Sequence, residues 1–126
     1  MPVRSLRSSV LVWPDRPAVD ASVRQWAEQT ARQRPELLRV GYFGSYARGN
    51  WGVGSDLDLL LIVARADDPF ERRAVRWDTT ALPVPADVLV YTAAEWESVS
   101  VATAFGRSVS TEAVWVFHRA HAEPRP

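Results

Sequence analysis

The sequence predicts a domain of the α/β or α+β class, in which a mixed central β-sheet is covered by helices. Predicted strands and helices alternate along the chain, which is typical of a sheet with helices packed on it. An apolar fraction of 47% with six Trp in 126 residues indicates a packed core. The strand Asp56–Val63 is apolar on both faces in its later part, which favours a central position in the sheet.

Length and composition limit the classes of function. We expect one domain over residues 1–126, with an ordered core at about 10–117 and a frayed tail at 121–126. The net charge of zero argues against sequence-independent nucleic-acid binding, and the absence of Cys excludes disulfides and thiolate zinc sites. The absence of Lys excludes lysine-dependent chemistry. Because the longest apolar run, Leu59–Ala64, is far shorter than a membrane span, we expect a soluble cytoplasmic protein.

The first elements follow from local signals. Val10–Trp13 predicts a short strand or an extended arm, and Asp15 with Pro17 predicts the start of a helix that ends before Pro35. The strand Leu37–Phe43 follows this helix. The apolar face of the helix has residues at helical spacing: Val19, Val23, Trp26, Ala27 and Thr30.

The second half continues the alternation after a brief helix at Ser45–Arg48. Asp67-Asp68-Pro69 predicts a helix that reaches Ala81, with Phe70, Ala74, Trp77 and Ala81 on its inner face. A strand follows at Ala86–Tyr91, and Thr92 with Glu95 forms a capping box for another helix. Ala113–Phe117 predicts the last strand.

The segment from Gly44 to Arg48 is suited to phosphate. Gly44 lies where a strand passes into a helix, and a residue without Cβ allows a ligand to approach the backbone closely. Ser45 is predicted as the N-cap, and the free N–H groups that follow it form an anion site. Taken alone, an ordinary glycine turn with a serine cap is the simpler explanation.

Three acids predict a metal site. Asp56 and Asp58 are two residues apart at the start of a strand, so both side chains point to one face. Asp87 also begins an apolar strand, and a helical crossover between the two strands would make them parallel. Their carboxylates could then converge on one or two Mg²⁺ ions, in a site for phosphoryl or nucleotidyl transfer. The alternative for Asp87 is an acid on the surface of a strand.

The compound motif Gly44-Ser45-Tyr46-Ala47-Arg48-Gly49, then Ser55-Asp56-Leu57-Asp58, then Asp87, resembles the signature of the DNA polymerase beta-like nucleotidyltransferases. More narrowly, it resembles the minimal nucleotidyltransferases (MNT), the antitoxin partners of HEPN toxins. The tight motif covers about fifteen residues, and the order of elements from about Val10 to Phe117 also fits. The resemblance implies a mixed sheet with helices packed on it.

The resemblance also implies roles for individual residues. Asp56, Asp58 and Asp87 would be the catalytic residues and would bind metal, with two Mg²⁺ ions and ATP as the donor. Gly44 and Ser45 would contact the nucleotide phosphates, and we also assign Arg48 and Ser55, which lie within the motif, to nucleotide binding. For Arg48 a structural role stays open, in which its side chain pins the short helix by bonding to nearby carbonyls.

The resemblance further implies the reaction and the partner. AMP would pass from ATP to a protein hydroxyl, a tyrosine of a small helical HEPN toxin, so that this chain would act as the antitoxin. Two alternatives stay open: a binding module that neutralises a toxin by contact alone, and an adenylyltransferase for a small molecule. RNA as an acceptor is disfavoured by the neutral net charge.

Overall fold

A four-stranded mixed sheet with helices against both faces is the architecture of residues 13–119, the part of the chain that the computed structural model describes. The strand order is β3-β2-β1-β4; β2 and β3 are parallel, and the other pairs are antiparallel. The predicted mixed α+β class is confirmed. The elements in chain order are α1 Arg16–Gln33, β1 Leu37–Phe43, α2 Ser45–Arg48, β2 Leu57–Val63, a 3₁₀ helix Phe70–Arg76, β3 Ala86–Thr92, α3 Ala93–Ala102, α4 Ala104–Glu112 and β4 Val114–His118.

Helix α1 begins and ends where the sequence predicts. The Asp15 carboxylate accepts a hydrogen bond of 3.1 Å from the N–H of Ala18, which satisfies one of the free donors of the first turn. The helix ends at Gln33, just before Pro35. Its buried face, Val19, Val23, Trp26, Ala27 and Ala31, includes four of the five residues predicted to form its apolar face.

Strand β2 lies between β1 and β3 and is buried on both faces, as its apolar run predicts. Because successive side chains of a strand point to opposite faces, β2 contributes to two clusters. The α1 side contains Leu57, Leu59, Leu61 and Val63. The other side contains Leu60 and Ile62, packed with Trp96 of α3 and Val109 of α4.

The segment between β2 and β3 differs from the helix predicted from Pro69 to Ala81. A 3₁₀ helix of seven residues, Phe70–Arg76, is followed by turns. Trp77 is buried as predicted, but Phe70 is 39% exposed and Ala81 is exposed. In the turn, the Asp78 carboxylate accepts bonds from the N–H and hydroxyl of Thr80, a local arrangement that competes with helix. The connection still returns the chain in a parallel sense, so the predicted β2–β3 pairing is confirmed.

Arg73 explains why this segment packs as it does. Its side chain is the buried one of the 3₁₀ helix, and it forms a bidentate pair with Glu95 at 2.6 and 3.1 Å. The guanidinium also donates to the carbonyl oxygens of Asp68 and Val90. These bonds join the crossover to β3 and α3. They also offset the cost of burying a charged arginine, which the hydrophobic pattern of the sequence predicts to be exposed.

The helices after β3 begin at two threonine caps. Thr92 and Glu95 form the predicted capping box, with bonds of 2.9 and 3.1 Å. A second cap at Thr103, whose hydroxyl accepts from the N–H of Gly106, separates α3 from α4. The last strand, Val114–His118, lies one residue later than predicted.

Two sequence predictions fall outside this description. Residues 10–12 of the first predicted strand and the tail 121–126 lie outside the described residues, and Trp13 has no regular structure. Over residues 13–119, no helix combines the length and apolar character that crossing a bilayer requires.

The Arg73–Glu95 pair predicts a pH dependence of stability. Hydrogen bonding from Arg73 lowers the pKa of Glu95 from 4.5 to about 2. A carboxylate with a lowered folded-state pKa stabilises the fold above its unfolded pKa and loses that contribution as pH falls through the folded value. We expect Glu95→Gln to reduce the free energy of unfolding at pH 7, and the gap to wild type should shrink between about pH 4.5 and pH 2.

Urea unfolding across that pH range measures this gap. Glu97→Gln, at an exposed position of the same helix, is the matched control and should follow wild type throughout. A constant gap between wild type and Glu95→Gln from pH 7 to pH 2 would contradict the prediction.

Candidate active site

Parallel pairing of β2 and β3 brings predicted acids to one edge of the sheet. Asp58 of β2 and Asp87 of β3 are in register, so their side chains leave neighbouring strands on the same face. Asp56 lies two residues before Asp58, just outside the strand. Asp56 and Asp87 are exposed, whereas Asp58 is half-buried. The structure therefore brings the three acids together, and their catalytic and metal-binding roles stay predictions.

The electrostatics of this edge favour a cation. Burial raises the pKa of Asp58, and the negative charges of Asp87 and Asp56 raise it further. Arg48 acts in the opposite direction, and Glu112 adds a further negative charge. Clustered carboxylate oxygens are the donors that Mg²⁺ prefers. Within residues 13–119, however, no three acidic, His or Cys side chains are arranged as a metal site, so the three acids are neighbours without that arrangement.

The backbone at Gly44 lies directly against Asp58. Gly44 has φ +76°, which side-chain-bearing residues rarely adopt, and a Cβ there would overlap with Oδ2 of Asp58. The Gly44 N–H donates a hydrogen bond of 2.6 Å to Oε2 of Glu112. Glycine is thus required by conformation and by the closeness of the Asp58 carboxylate.

The N-cap of the short helix α2 lies one residue earlier than predicted. The N-cap position is occupied by Gly44, and Ser45 is the first helical residue, so the prediction of Ser45 as N-cap is wrong. Glycine is a common N-cap residue, but it has no side chain to cap the first turn. The helix ends at Arg48, its C-cap Gly49 is left-handed, and the carbonyl of Ser45 accepts bonds from Gly49 and Asn50. Ser45 itself is half-buried beside Gly44.

Arg48 and Ser55 have partners within the protein. Arg48 pairs with Oε1 of Glu112 at 3.3 Å rather than with the backbone carbonyls that the sequence suggested. The Ser55 hydroxyl accepts a bond of 2.8 Å from the N–H of Gly52, which closes the loop before Asp56. Their assignment to nucleotide binding stays a prediction, since binding would have to compete with these contacts.

Tyr46 and Trp51 flank the motif but pack on one another. Tyr46 is fully buried, and its hydroxyl donates to the carbonyl oxygen of Pro14. Trp51 stacks on it with ring centroids 5.7 Å apart. Both aromatic rings therefore make contacts within the domain.

Glu112 is the site residue that the sequence analysis missed. It ends α4, and both of its carboxylate oxygens contact the Gly44–Arg48 segment. The contact joins residues 68 positions apart along the chain. An acid at the end of a short helix gives no local signal of such a contact, so only the three-dimensional fold reveals it.

Two glycines with positive φ offer a test of the Gly44–Asp58 contact. Gly49→Ala should cost about 1–2 kcal/mol, since Gly49 is left-handed and has open space around its Cα. Gly44→Ala should cost more, because its dihedrals of φ 76° and ψ −151° are strained for alanine and the Asp58 carboxylate must move.

Chemical denaturation of both variants measures the difference. An equal loss of unfolding free energy in the two variants would mean that Asp58 does not constrain Gly44.

Comparison with known proteins assigns the family. The model of the nucleotidyltransferase domain family matches residues 23–110, which is more than half of the chain. No curated protein sequence matches the chain. The fold is similar to that of a solved structure named as a putative nucleotidyltransferase from Sulfolobus solfataricus. The two chains are 22% identical, with 82% of this chain and 84% of that chain covered and a TM-score of 0.58.

Two further solved structures share the fold. A toxin–antitoxin complex with AMP-PNP is 21% identical, with 75% of this chain and 73% of that chain covered and a TM-score of 0.54. A mutant of the toxin–antitoxin complex MntA-HpeT is 18% identical, with 75% and 72% covered and a TM-score of 0.52. At these identities the likeness concerns the fold, whereas the family model concerns the sequence itself. On that match, this chain belongs to the nucleotidyltransferase domain family.

Proposed function

We propose that this chain is a Mg²⁺-dependent nucleotidyltransferase that moves AMP from ATP to a protein hydroxyl and thereby acts as the antitoxin of a toxin–antitoxin pair. The class rests on the family match. The observation that carries the chemistry is the register of Asp58 and Asp87 on parallel strands, with the Gly44 backbone against Asp58. This arrangement sets acids for a metal beside a backbone turn suited to phosphate.

The residues divide into two groups in this proposal. Asp56, Asp58 and Asp87 would hold Mg²⁺, which when bound neutralises the negative charge of the phosphates. Gly44 and Ser45 would lie against the phosphates, since they begin helix α2 directly beside the Asp58 carboxylate. In the reaction, the acceptor oxygen bonds to the α-phosphorus, the bond to pyrophosphate breaks, and the hydroxyl proton passes to a carboxylate of the site.

The partner is proposed from the fold relatives and from the resemblance of the motif to minimal nucleotidyltransferases. Two solved structures with this fold are toxin–antitoxin complexes, one of them with AMP-PNP. We propose a small helical HEPN toxin as the acceptor, modified on a tyrosine. A neutral net charge fits a protein acceptor better than RNA, because RNA binding draws on basic residues that outnumber acids.

Transfer should depend on Asp58. We expect Asp58→Asn to reduce transfer by about 10²–10⁴, equivalent to several kcal/mol of transition-state stabilisation, because the amide removes a ligand and a negative charge. The measurement incubates this protein with Mg²⁺, ATP labelled at the α-phosphate and the product of the neighbouring gene. Transfer is detected as label on a tyrosine of that product. Asp67→Asn, at an exposed acid beyond the other end of β2, is the control and should keep wild-type transfer.

Near-wild-type labelling by Asp58→Asn would exclude the scheme. Label on a nucleic acid or a small molecule, with none on the protein, would keep the class but replace the acceptor.

Protection of cells should also depend on catalysis. When the toxin and this chain are expressed together, Asp58→Asn should fail to restore growth although it still folds, because an unmodified toxin stays active. Asp67→Asn should protect as wild type does. Full protection by Asp58→Asn would support neutralisation by direct contact in place of modification.

A further inference from the structure

We infer that Glu112 is a positioning residue that holds the Gly44 turn against Asp58 and thereby sets the geometry of the nucleotide site. This inference deepens the proposed function and rests on it. The carboxylate receives the Gly44 N–H at 2.6 Å through Oε2 and faces the Arg48 guanidinium at 3.3 Å through Oε1. It therefore contacts both ends of the four-residue helix α2, the N-cap Gly44 and the last residue Arg48.

Buried Tyr46 anchors the middle of α2, whereas the Gly44 end of the turn depends on the contact with Glu112. Helix α2 is four residues long, its N-cap is a glycine without a capping side chain, and the backbone of Gly44 is in a conformation that costs free energy. The hydrogen bond from the Gly44 N–H to a side-chain oxygen of Glu112 ties this residue to the end of α4.

The position of Glu112 argues against an incidental surface acid. The C-terminal end of a helix carries partial negative charge, so an acid as the last residue of α4 is disfavoured there. Its side chain is only 20% exposed, so it also loses hydration. The contacts with the Gly44 N–H and with Arg48 offset both penalties, so the carboxylate is stabilised at this position by these two partners.

Helix α4 holds Glu112 in place through packing. Phe105 meets Phe43 edge to face, with ring centroids 5.9 Å apart and planes at 84°. Val109 is buried, and Gly106 lies so close to the carbonyl of Val99 that a Cβ would overlap with it. Phe43 is the residue before Gly44 and the cross-strand neighbour of Asp58, so α4 is packed onto the same part of the sheet as the acids.

Glu112 acts through Gly44 rather than as a further metal ligand. Both of its oxygens are engaged, one by the Gly44 N–H and the other by Arg48. The Gly44 backbone in turn lies against Oδ2 of Asp58. A shift of the turn would therefore move the backbone away from Asp58 and would misalign phosphates with the acids.

Two substitutions at position 112 separate the effect of side-chain length from that of side-chain charge. Glu112→Gln keeps the length and an oxygen acceptor for Gly44 but removes the charge. Glu112→Asp keeps the charge but is one methylene too short to keep its place. If Glu112 is a positioning residue, Glu112→Asp should raise the KM for Mg²⁺–ATP by about tenfold, since a loss of about 1.4 kcal/mol corresponds to tenfold. Glu112→Gln should stay within about twofold of wild type, since it keeps a neutral bond to Gly44.

The hydrogen bond between Gly44 and Glu112 can also be followed without any measurement of activity. In ¹H–¹⁵N spectra of the intact protein, the Gly44 amide proton should move upfield strongly in Glu112→Asp and weakly in Glu112→Gln. Ser110→Ala, at an exposed position of α4, is the control and should change neither KM nor the Gly44 signal.

Each outcome has a defined meaning. A tenfold rise in KM in Glu112→Gln with no rise in Glu112→Asp would show that charge matters and would overturn the inference. So would wild-type KM values in both variants, or a Gly44 signal that neither variant moves. Absence of transfer by the wild-type protein would refute the proposed function instead, and the Gly44 signal would then still decide whether Glu112 fixes the turn.

Discussion

The parallel register between β2 and β3 is the constraint on which the site depends. Because Asp58 pairs with Asp87, a slip by one residue would send one of the two carboxylates to the opposite face of the sheet. Such a slip would also turn the Leu residues of β2 out of their clusters. Strand β2 is buried on both faces, so the register is fixed by apolar packing and the acids have no freedom to separate along the strand.

The magnitudes explain how the fold tolerates this charge cluster. Two like charges about 4 Å apart repel by about 1 kcal/mol in water and about 4 kcal/mol in a partly shielded site. Each fully buried Leu contributes about 1.5–3 kcal/mol, and Leu57, Leu59, Leu60 and Leu61 are all fully buried. Apolar burial therefore exceeds the repulsion at the edge. Burial raises the pKa of Asp58 and the charges of Asp87 and Asp56 raise it further, so a cation at this edge would relieve the repulsion.

Local signals predicted much of the fold, and the contacts they missed are distant in sequence. The cap at Asp15, the two-faced apolar run of β2 and the Thr92–Glu95 box each depend on neighbouring residues, so they can be read from the chain. The 3₁₀ helix could not be predicted from neighbouring residues, because the partners that bury Arg73 lie up to 22 positions away. Glu112 reaches Gly44 across 68 positions, and only the packing of α4 creates that contact.

Precision at the site comes from the backbone as much as from side chains. Gly44 carries three restraints: a strained φ, contact with Asp58 and a bond to Glu112. A residue with a side chain could still donate its backbone N–H to Glu112, but its Cβ would overlap with Asp58 and disfavour the positive φ. Apolar residues of similar volume, by contrast, can often replace one another in a core at small cost. The requirements of the site therefore fall on a few positions, Gly44 and the acids among them, while the surrounding core needs only the right hydrophobic pattern. This division explains why a short compound motif predicted the nucleotidyltransferase family, although the contacts that hold the motif in place could not be predicted from the sequence.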